Sequence, residues 1–160
     1  MDIHDTDPAL DLVLARDVPL PRAKVWEAWT TPHLIRQWFC PKPWMVSQCE
    51  IDVRPGGRFH TVMKGPEGQE MNNTGCILQA VAEELLVFTD CLGPDFRPAA
   101  KPFFTGIILL TDAPGGTHYK AIARHGTEEA ARTHAGMGFE QGWGTALDQL
   151  VALMTKGKVP

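Results

Sequence analysis

Serine is nearly missing from this 160-residue chain; it occurs once, at Ser47. No G-x-S-x-G elbow is present, so a serine nucleophile has almost nothing to build on. None of the six histidines (His4, His33, His60, His118, His125, His134) pairs at H-x-H or H-x-x-x-H spacing, which argues against a metal site. The four cysteines, Cys40, Cys49, Cys76 and Cys91, include no C-x-x-C pair. Three of them fall in strand-like segments, where reduced, buried thiols are the expectation. Basic runs never exceed two residues, and 15 Lys plus Arg face 19 Asp plus Glu, a net charge of −4. That balance speaks against a nucleic-acid partner, which calls for a basic stripe. No apolar run approaches membrane-spanning length, so no membrane partner is expected. The acidic opening, residues 1–8, has no apolar core of a secretory signal, and a cytoplasmic protein is the expectation.

What is present is an ordinary globular balance, 44% hydrophobic and 21% charged, most simply one domain. A chain of this size buries about two-thirds of its unfolded surface, enough for a core without staples. The clearest pattern is a late apolar stripe: Phe139, Trp143, Leu147, Leu150 and Met154, widened by Ala146, Val151 and Leu153. This is helical spacing, and such a face has to lie on something.

Upstream, Leu10–Val18 reads as a strand that Pro19 and Pro21 end. Arg22–Thr30 gathers Val25, Trp26, Ala28 and Trp29 as a short helix; Thr31-Pro32 restarts a second over His33–Phe39. The period then changes to alternation. Strands are expected at Val46–Val53, Arg58–Lys64, Met71–Val81, Leu85–Cys91, Phe103–Thr111 and Thr117–His125, with Gly/Pro turns between several of them. Leu92–Pro102 holds too many breakers for regular structure. Thr127 caps a helix to Ala135, and Gly136 and Gly138 predict a kink or break before the long stripe. Residues 1–9 read as a flexible tail and 10–156 as a single domain. Gly138, Gly142 and Gly144 each cost a helix about 1 kcal/mol relative to alanine. Close approach of a sheet, or room for a ligand, would offset that.

The order is thus strand, two short helices, six strands, long helix. With Val25–Pro32 and Trp38, the turn Asp52–Phe59, Leu86–Thr89, and Met137–Gly144 leading into Leu147 and Leu150, the chain resembles the START-like (polyketide-cyclase-like) superfamily. Within it, it is similar to the branch named after the activator of the heat-shock protein 90 ATPase. The resemblance implies an α+β helix-grip fold, a curved antiparallel sheet of about six or seven strands wrapped on the C-terminal helix.

The resemblance also implies a ligand site in the hollow between sheet and helix. By parity Phe59, Thr61 and Met63 face it, with Ile77, Phe88, Ile107, Leu109 and Tyr119 from other strands and Met137, Phe139 and Trp143 from the helix. Asp90 and His125 are candidate polar selectors, His125 near the mouth; the plainer readings are a strand-end aspartate facing water and a satisfied surface histidine. The competing reading is that these side chains simply fill the core. The expected partner is a small hydrophobic molecule, with no cofactor and no assigned catalytic residue. The superfamily also hosts chaperone cofactors and cyclase- or hydrolase-like enzymes, so a protein partner such as a chaperone, or chemistry on a bound substrate, stands beside it. Exposed edge strands leave room for a homodimer, which nothing in the sequence demands.

Overall fold

A computed structural model describes residues 2–156 and resolves these periodicities into discrete elements. They run β1 (Asp11–Val18), α1 (Arg22–Thr30), α2 (Pro32–Trp38), β2 (Met45–Ile51), β3 (Arg58–Lys64), β4 (Glu70–Val81) and β5 (Leu85–Thr89). The two-residue strands β6 (Leu92–Gly93) and β7 (Arg97–Pro98) follow, then β8 (Thr105–Ala113), β9 (Gly116–Arg124), α3 (Glu128–Gly136) and α4 (Phe139–Lys156). Seven strands form one antiparallel sheet in the order β1-β9-β8-β5-β4-β3-β2, giving the α+β helix-grip arrangement.

Local chemistry explains the joints. Pro21 immediately precedes α1 and Pro32 opens α2, positions where a missing N–H costs nothing. The Thr31 side chain makes no capping bond, so the ring of Pro32 rather than the hydroxyl sets that start. Thr117 Oγ1 donates to Leu20 O at 2.7 Å, tying β9 to the approach of α1. Between β2 and β3, Gly56 takes φ +78° and its N–H reaches Ile77 O at 2.7 Å, while Ile77 N–H returns to Gly57 O at 2.9 Å. The turn therefore folds back on the backbone of β4. Thr127 accepts from Ala130 N and starts α3; Gly138, at φ +86°, makes the expected break before α4. The breaker-rich segment after β5 is not wholly irregular, because β6 and β7 pair around a 3-10 turn at Pro94–Phe96.

The sheet buries both faces. On the inner one, Phe88, Ile108, Leu110, Tyr119 and Ala121 share a core with Leu147, Leu150 and Leu153 of α4 and with Val25, Trp29, Ile35 and Trp38 of the short helices. On the outer one, Val87, Ile107, Leu109 and Ile122 cluster with Ile3, Leu78 and Leu85 packed on them. Register explains the split. Phe88 pairs with Gly106 and Tyr119 with Leu110, so even-numbered residues of β8 turn inward and Ile107 and Leu109 turn away from the helix. Ile3 belongs to the segment read as a tail. Arg124 donates to Ile3 O at 2.8 Å and also to Asp5 O, which lays residues 3–5 along β9. Met1, at the start of that segment, lies outside the described residues.

Gln149 is a buried polar group on the otherwise apolar face of α4. Its Oε1 accepts from Lys42 N at 3.1 Å, and its Nε2 donates to Trp38 O at 3.0 Å and Cys40 O at 2.9 Å. One side chain thereby fixes the chain leaving α2 against the long helix.

Candidate functional site

The inner face of the sheet and α4 do not meet everywhere. Between them lies a cavity of about 480 Å³. Strand alternation brings Phe59, Thr61 and Met63 of β3 to its wall, and Phe88 and Tyr119 come from β5 and β9. The first turns of α4 add Phe139, Gly142, Trp143 and Ala146, with Met137 and Gly138 from the break before it. Trp29, Trp38, Phe39 and Trp44 form a further wall from the short helices and the connector after them. Phe103 and Phe104, before β8, and His134 of α3 add to it, as do Met71, Asn73, Thr74 and Gly75 of β4.

The walls are a network of rings. Phe59 and Phe88 meet edge-on with centroids 5.3 Å apart, Phe88 and Phe104 at 6.2 Å, Phe104 and Trp143 at 5.9 Å, and Trp143 and Phe139 at 4.6 Å. Such contacts hold ring orientation as well as area, so a hollow among them keeps its shape. Gly142 borders the hollow, and a Cβ added there would meet no atom within 4 Å. The glycine that weakens α4 thus leaves open space at this point.

The polar side chains on the wall are Thr61, Asn73, Thr74, Thr89, Asp90, Tyr119 and His134. Trp29 Nε1 donates to the Tyr119 hydroxyl at 3.1 Å, and complete burial pushes the Tyr119 pKa well up, so it stays a neutral O–H. Asp90 reaches the wall, but its Oδ1 accepts from Phe103 N at 2.8 Å and Phe104 N at 3.0 Å. Its visible work is to place those two rings. His125 Nδ1 lies 2.9 Å from Leu10 O and its Nε2 lies 2.8 Å from Nδ1 of His134. Burial, then the neighbouring His125, hold His134 down to about 4. Burial pushes the thiols of Cys40 and Cys49 up to about 11, and all four cysteines are free. Among the described residues no three His, Cys, Asp or Glu side chains gather as a metal would require.

Of the residues marked from sequence, Phe59, Thr61, Met63, Phe88, Asp90, Tyr119, Met137, Phe139 and Trp143 are brought together at the cavity. Ile77 faces inward beside its partner Phe88 but is fully buried in the core without lining the cavity, Ile107 and Leu109 are on the outer face, and His125 stands one ring behind the wall. Trp29, Trp38, Phe39, Trp44, Phe104 and His134 went unmarked. Trp29 and Trp38 read as ordinary helix residues, and Trp44 as part of the connector. His134 carried no signal at all, since its partner comes from a strand end nine residues earlier.

The family described as activator of Hsp90 ATPase homolog 1-like protein matches residues 19–155. This chain belongs to that family. Among solved structures, this AHSA1-like chain is similar to a protein of Nitrosomonas europaea at 42% identity and TM-score 0.93, over 95% of this chain and 98% of that one. A Mycobacterium smegmatis protein shares the fold at 24% identity and TM-score 0.79, over 98% of each chain. An AHSA1-like protein of Aeromonas hydrophila shares it at 22% identity and TM-score 0.70, over 92% of this chain and 94% of that one. No protein of curated function matches the chain. Among the described residues no helix is long and apolar enough to cross a membrane.

Proposed function

We propose that this AHSA1-like domain binds a small hydrophobic or aromatic molecule between the sheet and α4. The observation that carries the reading is the cavity of about 480 Å³ with aromatic walls, in a domain whose two sheet faces are otherwise packed. Its size falls within the range of about 300–1,000 Å³ usual for small-molecule pockets. Affinity would come from apolar surface removed from water, at about 25 cal/mol per Å² before the costs of association. The four free cysteines support a reducing, cytoplasmic setting for this activity.

Titration with the apolar fluorophore N-phenyl-1-naphthylamine, with native mass spectrometry of the mixture, tests the reading. Saturable uptake of one molecule per chain is expected; no uptake by either method overturns it. Chaperone ATPase activation, which the family's description names, is the competing outcome. A pull-down with a cognate chaperone and an ATPase assay read it directly.

A further inference from the structure

Leu10 O can only accept a hydrogen bond. The contact from His125 Nδ1 at 2.9 Å therefore places a proton on that nitrogen. In the neutral ring His125 Nε2 is then a bare acceptor. The 2.8 Å contact to His134 Nδ1 in turn requires a proton on His134 Nδ1. A further proton on His134 would put a charge among Phe103, Phe104 and Phe139, which burial disfavours. The backbone carbonyl thus fixes both tautomers in series, and the lone pair of His134 Nε2 is left over.

That atom has no hydrogen-bond partner among the described residues, although its side chain belongs to a residue only 7% exposed. His134 lines the cavity, with the rings of Phe103 and Phe104 centred 4.8 and 4.9 Å from it. Because Nδ1 is held by His125, Nε2, on the far side of Cε1, directs its lone pair away from that bond. We propose that His134 Nε2 is a fixed acceptor for the ligand, so that the cavity selects apolar molecules carrying a hydrogen-bond donor, a phenolic or alcoholic O–H or an N–H. A ligand presenting only an acceptor would set lone pair against lone pair, and its arrival could not flip the tautomers without breaking the bond to Leu10 O. The inference rests on the binding reading above.

Three probes separate the two. Naphthalene reports the cavity alone; 2-naphthol adds a donor; 2-methoxynaphthalene keeps the oxygen and removes the donor. The methyl ether is the more apolar of the oxygenated pair, so hydrophobicity works against the expected order. The expectation is that 2-naphthol binds about tenfold or more tightly than its ether, and that in His134→Phe the ratio of those two affinities falls to about one, whatever the variant's affinity for naphthalene. Uptake of naphthalene with equal affinity for naphthol and ether overturns the inference and leaves the binding reading standing. Uptake of none of the three overturns both. A long-range ¹H–¹⁵N spectrum of the unsubstituted protein at neutral pH gives an independent readout that survives misfolding of the variant. Nδ1–H tautomers are expected at both His125 and His134, and an Nε2–H at His134 overturns the inference.

Discussion

Gly106 lies directly beneath the ring of Phe88: a Cβ on Gly106 would come within 2.3 Å of Phe88 Cζ. The two residues are cross-strand partners, and the missing side chain lets the Phe88 ring lie over β8 while it edges against Phe59 and lies tilted against Trp29. One wall of the cavity is therefore set by an absence on the neighbouring strand. Gly106→Ala is expected to push the Phe88 ring off this seat and destabilise the fold by about 1–3 kcal/mol, as overpacking does. Urea unfolding measures it, and a loss of probe affinity should accompany it. Unchanged stability would mean that the ring does not rest on the strand.

Gln149 holds the fold through hydrogen bonds instead. Gln149→Leu keeps much of the side-chain bulk but strips partners from Lys42 N, Trp38 O and Cys40 O. Backbone groups orphaned in a buried place each cost about 1–3 kcal/mol, and some of these regain water. We expect a net loss of about 2–4 kcal/mol in urea unfolding, with increased amide exchange over residues 38–44.

Acid should act through His134. Its folded value of about 4 lies below the ordinary 6.5, so between those values the unfolded chain binds a proton that the native state does not. The group costs nothing above about pH 6.5, and stability falls as pH is lowered from there toward 4. The urea midpoint of the unsubstituted protein should decline through this window, and His134→Phe should flatten the slope. An identical slope in the variant would assign the acid sensitivity to other groups.

The architecture was legible in the sequence because its signals are local. The Thr127 cap, the Gly138 break, the alternation of Phe59, Thr61 and Met63, and the α4 stripe each sit within a few residues of one another. Parity failed where alternation stops. Ile107–Leu110 are four apolar residues in succession, and only the pairing of Phe88 with Gly106 reveals which of them face the helix. The polar heart of the site was beyond reach for another reason. His134 sits on a short helix with charged neighbours, and its meaning depends on His125, on Leu10 O and on the packing that joins three separate segments. Asp90 looked like a ligand selector from its strand-end position, while its bonds to Phe103 and Phe104 N–H groups depend on a loop returning thirteen residues later.

The claim on which the account depends is that the space beside Gly142 receives a ligand. Gly142→Leu would fill that space from a site where a new Cβ meets nothing within 4 Å, and replacing glycine inside a helix should stabilise it by about 0.5–1 kcal/mol. The deciding measurement is N-phenyl-1-naphthylamine titration of both proteins alongside their thermal unfolding. The variant is expected to be folded and at least as stable, yet to take up the probe at least tenfold more weakly. Equal uptake by the two proteins would contradict the claim.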